Sequence, residues 1–161
     1  ELGSGPGQFN LVHNIVADDD GWIYVADREN HRIQVFNTDG KYETQWNNLH
    51  RPCGLFMSRG KCPVCIVGEL GPGLLVNRKY QNLGPRLSVL DNSGNLITRL
   101  GGENGPGFGL GQFLAPHGLS VDTKGSVYVG EVSYTNWPYS FGDKPKPKYL
   151  KTLQKLERVL N

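Results

Sequence analysis

Two histidines in this chain stand in the same local sequence. Gly7-Gln8-Phe9 leads to His13 and Gly111-Gln112-Phe113 leads to His117, each in the pattern Gly-Gln-Phe-x-x-x-His. Imidazole nitrogen is a good zinc ligand, and a catalytic zinc takes three protein ligands and leaves one position for water or substrate. Residues at equivalent points of a repeat end up in equivalent places, so His13 and His117 can aim at one axis. A weaker third copy lies between them, Arg51-Pro52-Cys53-Gly54-Leu55-Phe56, with Cys53 in the histidine position. It faces the same channel but sits in the unit between the two histidines, so it ranks behind them as a ligand. His31 and His50 have no matched partner and read as surface or turn residues. Cys62-Pro63-Val64-Cys65 is a lone Cys-x-x-Cys. A zinc knuckle needs a second pair and thioredoxin-like chemistry needs a helix N-terminus, so this pair reads as structural. A Cys53–Cys65 or a Cys62–Cys65 disulfide stays open, because Cys53 and Cys65 fall on adjacent antiparallel strands.

The elements around these residues are short strands. In the first unit Asn14–Asp18, Trp22–Asp27, Arg32–Phe36 and Tyr42–Trp46 read as four strands divided by polar and glycine turns. The second unit ends on Arg86–Leu90 and Leu96–Leu100, and the third has two matched strands followed by Leu153–Val159. Between them lies an insertion, residues 134–151, rich in proline, lysine and aromatics. Its Trp137, Tyr139 and Phe141 read either as a lid over a propeller mouth or as a loop packed on its own unit. Asp27, Glu69 and Glu131 share one repeat position, where they would bond nearby backbone. Twenty-two glycines and ten prolines suit this many turns. The units run at 8–47, 48–101 and 112–161, within a single domain. Units of 40–50 residues made of short strands have the period of propeller blades.

The expected fold is therefore all-β, about three blades of a propeller. The chain starts at what reads as the tail of an earlier fourth strand and stops after a third strand. It thus reads as the C-terminal half of a six-bladed ring, since closed propellers need about four to eight blades. Open blade edges favour association, either with the missing half or with a second copy. A formal net charge of +2 gives no electrostatic case for nucleic acid, and no apolar run is long enough to span a membrane. Three cysteines decide no compartment.

The segment Ile23-Tyr24-Val25-Ala26-Asp27-Arg28-Glu29-Asn30-His31-Arg32-Ile33-Gln34-Val35-Phe36, together with Gly-Gln-Phe, resembles NHL repeats. Within that group the chain is most similar to the peptidyl-α-hydroxyglycine α-amidating lyases. The resemblance implies that His13 and His117 are two of three zinc-binding histidines, one from every second blade, with the third outside this chain. It implies that Arg28 is an active-site arginine holding a substrate carboxylate or a developing oxyanion. The implied reaction cleaves a small peptide-like substrate into a peptide amide and glyoxylate. Gly118 stands where that group has an aspartate that helps hold calcium, so calcium is not expected. Two classes of function follow: a zinc-dependent lyase, incomplete here, or a non-catalytic NHL scaffold that binds a protein or other ligand on one propeller face.

Overall fold

The computed structural model describes residues 1–73, 79–80 and 83–159. Three antiparallel sheets follow one another along the chain. The first holds β1 (Val12–Ala17), β2 (Ile23–Asp27), β3 (Arg32–Phe36) and β4 (Tyr42–Trp46) in sequential order. The second repeats the plan with β5 (Pro52–Met57), β6 (Val64–Glu69), β7 (Arg86–Asp91) and β8 (Leu96–Leu100). The third has β9 (Pro116–Val121), β10 (Val127–Glu131) and β11 (Leu153–Leu156), with one helix, α1 (Ser133–Phe141), between the last two. Each sheet is an up-and-down meander. The three first strands lie side by side, β5 against both β1 and β9, while the later strands run outward. That arrangement is three blades of an all-β propeller.

Side-chain alternation along each strand explains the stacking. Successive residues of a strand face opposite sides of its sheet. In the middle blade, Leu55, Met57, Cys65, Val67 and Leu90 face the first blade, where they pack with Tyr24, Ile33, Val35 and Trp46. Their neighbours Phe56, Ile66, Leu87 and Val89 face the third blade and pack with Phe113, Val127, Val129 and Leu119. A sheet buried on both faces reads as a nearly continuous apolar run, as Val64-Cys65-Ile66-Val67 does. The middle blade is therefore the core on which the other two rest.

One carboxylate per blade ties the first strand's lead-in to the second strand's end. Asp27 accepts from the Asn10 amide at 2.7 Å, Glu69 from the His50 amide at 2.8 Å, and Glu131 from the Leu114 and Ala115 amides at 2.6 and 2.9 Å. The repeat position alone predicts that these acids bond nearby backbone. They do bond backbone, but 16–19 residues earlier in the chain. In the first blade Arg32 completes the clasp, donating to Asp27 at 2.8 Å and to the carbonyls of Ser4, Gly5 and Gln8. Arg86 pairs with Glu69 in the same way, at 2.8 Å. In the third blade the Glu131 amide bonds the carbonyl of Thr152, which replaces the arginine, and Gln154 donates to the Glu131 carboxylate at 2.5 Å.

Three sequence expectations are corrected. The insertion is not all loop: residues 133–141 form a helix, and its Trp137 is buried against Phe108 and Phe141 with ring centroids 5.7 and 4.3 Å apart. The Trp137 indole also donates to the Lys144 carbonyl at 2.7 Å, so this ring anchors the insertion to its own blade. His50 is buried, and its ring stacks on His31 at 4.6 Å. Finally, Cys65 pairs with Met57 rather than lying opposite Cys53, and all three cysteines are free thiols.

Candidate metal centre and channel mouth

His13, Cys53 and His117 each sit at a β-bulge. In β1, Val12 pairs with Asp27 and Asn14 with Ala26, so His13 is the extra residue. In β9, Pro116 pairs with Glu131 and Gly118 with Gly130, so His117 is the extra residue. In β5, Pro52 pairs with Glu69 and Leu55 with Val67, which leaves Cys53 and Gly54 opposite Gly68 alone. A bulge locally breaks the ladder and re-aims a side chain. Three bulges at the same end of three adjacent strands turn three side chains toward one point.

The distances follow from that placement. The rings of His13 and His117 meet edge to face with centroids 4.4 Å apart. One ligand atom from each histidine and the Cys53 sulfur all lie within 4.8 Å of one another. Cys53 is thus brought to the pair because it lies in the blade between them, the very position that ranked it low in the sequence. Gly54 makes the approach possible: a Cβ there would overlap the His117 carbonyl oxygen.

Arg28 closes one side. It opens a 3-10 turn, Arg28–Asn30, directly after β2, and its side chain is mostly buried, 18 % exposed. Its Nε donates to Glu29 at 2.8 Å, and the same carboxylate oxygen accepts from Arg51 Nη2 at 3.0 Å. Arg51 is held in turn by the Gly71 carbonyl at 3.1 Å. Two guanidinium groups therefore share one carboxylate, and the mouth carries a net positive field.

That field and partial burial set the protonation states. Burial, then the neighbouring His117 and the cations Arg28 and Arg51, lowers His13 to about 4. Burial and Arg28 also lower His117. Both imidazoles are neutral at pH 7 and keep a lone pair. Burial pushes the Cys53 thiol up to about 11, outweighing the pull of Arg28 and Arg51. Zinc would separate tetrahedral nitrogen and sulfur ligands by roughly 3.3–3.6 Å. The three donors, all within 4.8 Å of one another, are of the right chemical type for such an ion and need only a small closing movement to hold it. A hard cation such as calcium prefers an oxygen cage and does not fit.

Comparison with known proteins gives the class. Residues 9–36 match the NHL repeat family. The chain is 33 % identical over 138 residues to NHL repeat-containing protein 3 of Homo sapiens, an alignment covering 82 % of this chain and 35 % of that protein. It is 35 % identical to the Mus musculus protein of the same name, with the same coverage. It is 27 % identical over 133 residues to Protein brain tumor of Drosophila melanogaster, covering 81 % of this chain and 11 % of that protein. The chain thus spans about a third of the length of the first two relatives. A solved protein of unknown function from Bacteroides caccae superposes with a TM-score of 0.62 over 91 % of this chain and 46 % of its own, at 12 % identity. The fold is an NHL-type β-propeller, of which three blades are described here.

Proposed function

We propose that this propeller is a binding scaffold, and that its channel mouth receives the carboxylate of a peptide-like ligand. The observation that carries this is the charge arrangement: Arg28 and Arg51 share Glu29 beside two neutral imidazoles, leaving one positive charge to spare at a half-open site. A guanidinium suits a planar carboxylate. The match to NHL repeats and to NHL repeat-containing protein 3 supports the scaffold reading, because a repeat propeller presents a broad binding face.

The proximity of His13, His117 and Arg28 favours a second reading, the zinc-dependent lyase. There His13 and His117 would hold the zinc, which supplies a Lewis acid, while Arg28 orients the substrate carboxylate. One set of measurements separates the two. An acetylated tripeptide with a free C-terminal carboxylate should bind the chain, its C-terminal amide should not, and Arg28→Gln should abolish binding. Equal binding of acid and amide would overturn the scaffold reading. Glyoxylate release from a peptidyl-α-hydroxyglycine, lost in His13→Ala and His117→Ala, would replace it with the lyase.

A further inference from the structure

We propose that Cys53 is the third ligand of a His2Cys metal centre, so that His13, Cys53 and His117 hold one zinc-like ion with ligands from three consecutive blades. The inference goes beyond ligand binding at Arg28 and stands or falls separately from it. The resemblance to amidating lyases points instead to a third histidine from outside this chain. Here a third donor is already supplied from within, by the blade between the histidines.

Three observations carry it. The donor atoms of all three residues lie within 4.8 Å of one another. Each residue occupies the same bulge at the start of its blade's first strand, so the convergence is built into the repeat and does not depend on one flexible side chain. Cys53 is fully buried while both histidines are partly exposed, so the ion would be held from beneath by sulfur and open to solvent above. Two imidazoles and a thiolate are a borderline-soft set, which selects zinc, cobalt or copper over magnesium and calcium. Three protein ligands leave a fourth position. With a divalent ion, the Cys53 thiolate, Arg28, Arg51 and Glu29, the charges sum to about +2. The fourth ligand is therefore an anion, hydroxide or carboxylate.

Cobalt(II) titration of the reduced chain under anaerobic conditions tests this. The expected result is one ion per chain, intense visible bands of a tetrahedral site, and a near-ultraviolet thiolate-to-cobalt charge-transfer band that zinc bleaches. Cys53→Ser should remove the charge-transfer band and weaken zinc binding on the order of a hundredfold, one ligand's share of a strong zinc site. Cys62→Ser should leave both unchanged. A far-ultraviolet circular dichroism spectrum matching wild type certifies that each variant is folded. The proposal is overturned if the folded chain binds no stoichiometric cobalt, or if the charge-transfer band survives in Cys53→Ser. Loss of tripeptide binding alone would leave it standing.

Discussion

Replacing Asp27 with Asn should be among the most damaging single-atom changes in the chain, and the structure says why. Asp27 is completely buried, and its two oxygens accept four hydrogen bonds. One oxygen takes the Asn10 amide; the other takes Arg32 Nε, Asn30 Nδ2 and Gln34 Nε2. An asparagine amide group has no orientation that satisfies this set. Turned one way, its NH2 faces three donors; turned the other, it faces the Asn10 N–H. Arg32, only 5 % exposed, would also lose its carboxylate. Breaking a buried ion pair by removing one partner costs about 3–5 kcal/mol. The natural control is Glu131→Gln. Glu131 accepts two backbone amides on one oxygen and the Gln154 amide on the other. A glutamine keeps the first oxygen, and Gln154 can flip to offer its own at the expense of its bond to the Gln112 carbonyl, so the loss is that one ordinary hydrogen bond, about 1 kcal/mol. Urea unfolding followed by circular dichroism should show the two variants separated by roughly 2–4 kcal/mol at unchanged m-value. Equal destabilisation of the two would refute the idea that the arginine, and not the carboxylate clasp alone, sets the cost.

Two further outcomes follow from the same geometry. His13 takes up a proton near 6.5 when unfolded but only near about 4 when folded. Its contribution to stability is therefore complete above pH 6.5, declines as pH falls from 6.5 to 4, and is gone below that. The whole difference amounts to roughly 3 kcal/mol, which solvent at the open side of the ring screens to about 1–1.5 kcal/mol. His13→Gln should lose less stability than wild type between pH 7 and 4.5, and parallel pH profiles for the two would contradict this. Gly54→Ala should cost about 1–3 kcal/mol by driving a methyl into the His117 carbonyl and Leu119. Gly118→Ala meets open space and should stay within about 0.5 kcal/mol. Similar melting temperatures for the two variants would show that the close approach of the second and third blades is not rigid.

The strands were legible because their signals are local. Tyr42–Trp46 and Leu96–Leu100 match the expected bounds, and Asn14–Asp18 needed only a shift to Val12–Ala17. Helix α1 was not legible. Its sequence carries Pro138 and four aromatics, and its buried side chains Asn136 and Trp137 are held by distant partners, the Leu114 carbonyl and the Phe108 ring. The pairing of His13 with His117 could be read from the repeat. The inclusion of Cys53 could not, because it depends on a bulge register that composition does not record. The one available signal was its alignment with the two histidines. His50 does lie in the turn between β4 and β5, but its burial was not legible for a related reason: its ring stacks on His31 across that turn and not along a strand.

The bulge itself is what separates fold from function in this molecule. Each blade has an irregularity at the start of its first strand, next to the carboxylate that clasps the incoming segment. The backbone there is fixed by Asp27, Glu69 and Glu131, not by the side chain at the bulge. The bulge residue is therefore free to vary without loss of the blade, and whatever occupies it is delivered to the channel. A run of histidine, cysteine and histidine gives three donors at one point. On this argument the chemistry of the propeller is set by three residues whose replacement the fold should tolerate. The pairing of an intact circular dichroism spectrum with a lost cobalt spectrum in Cys53→Ser is the direct measure of that separation.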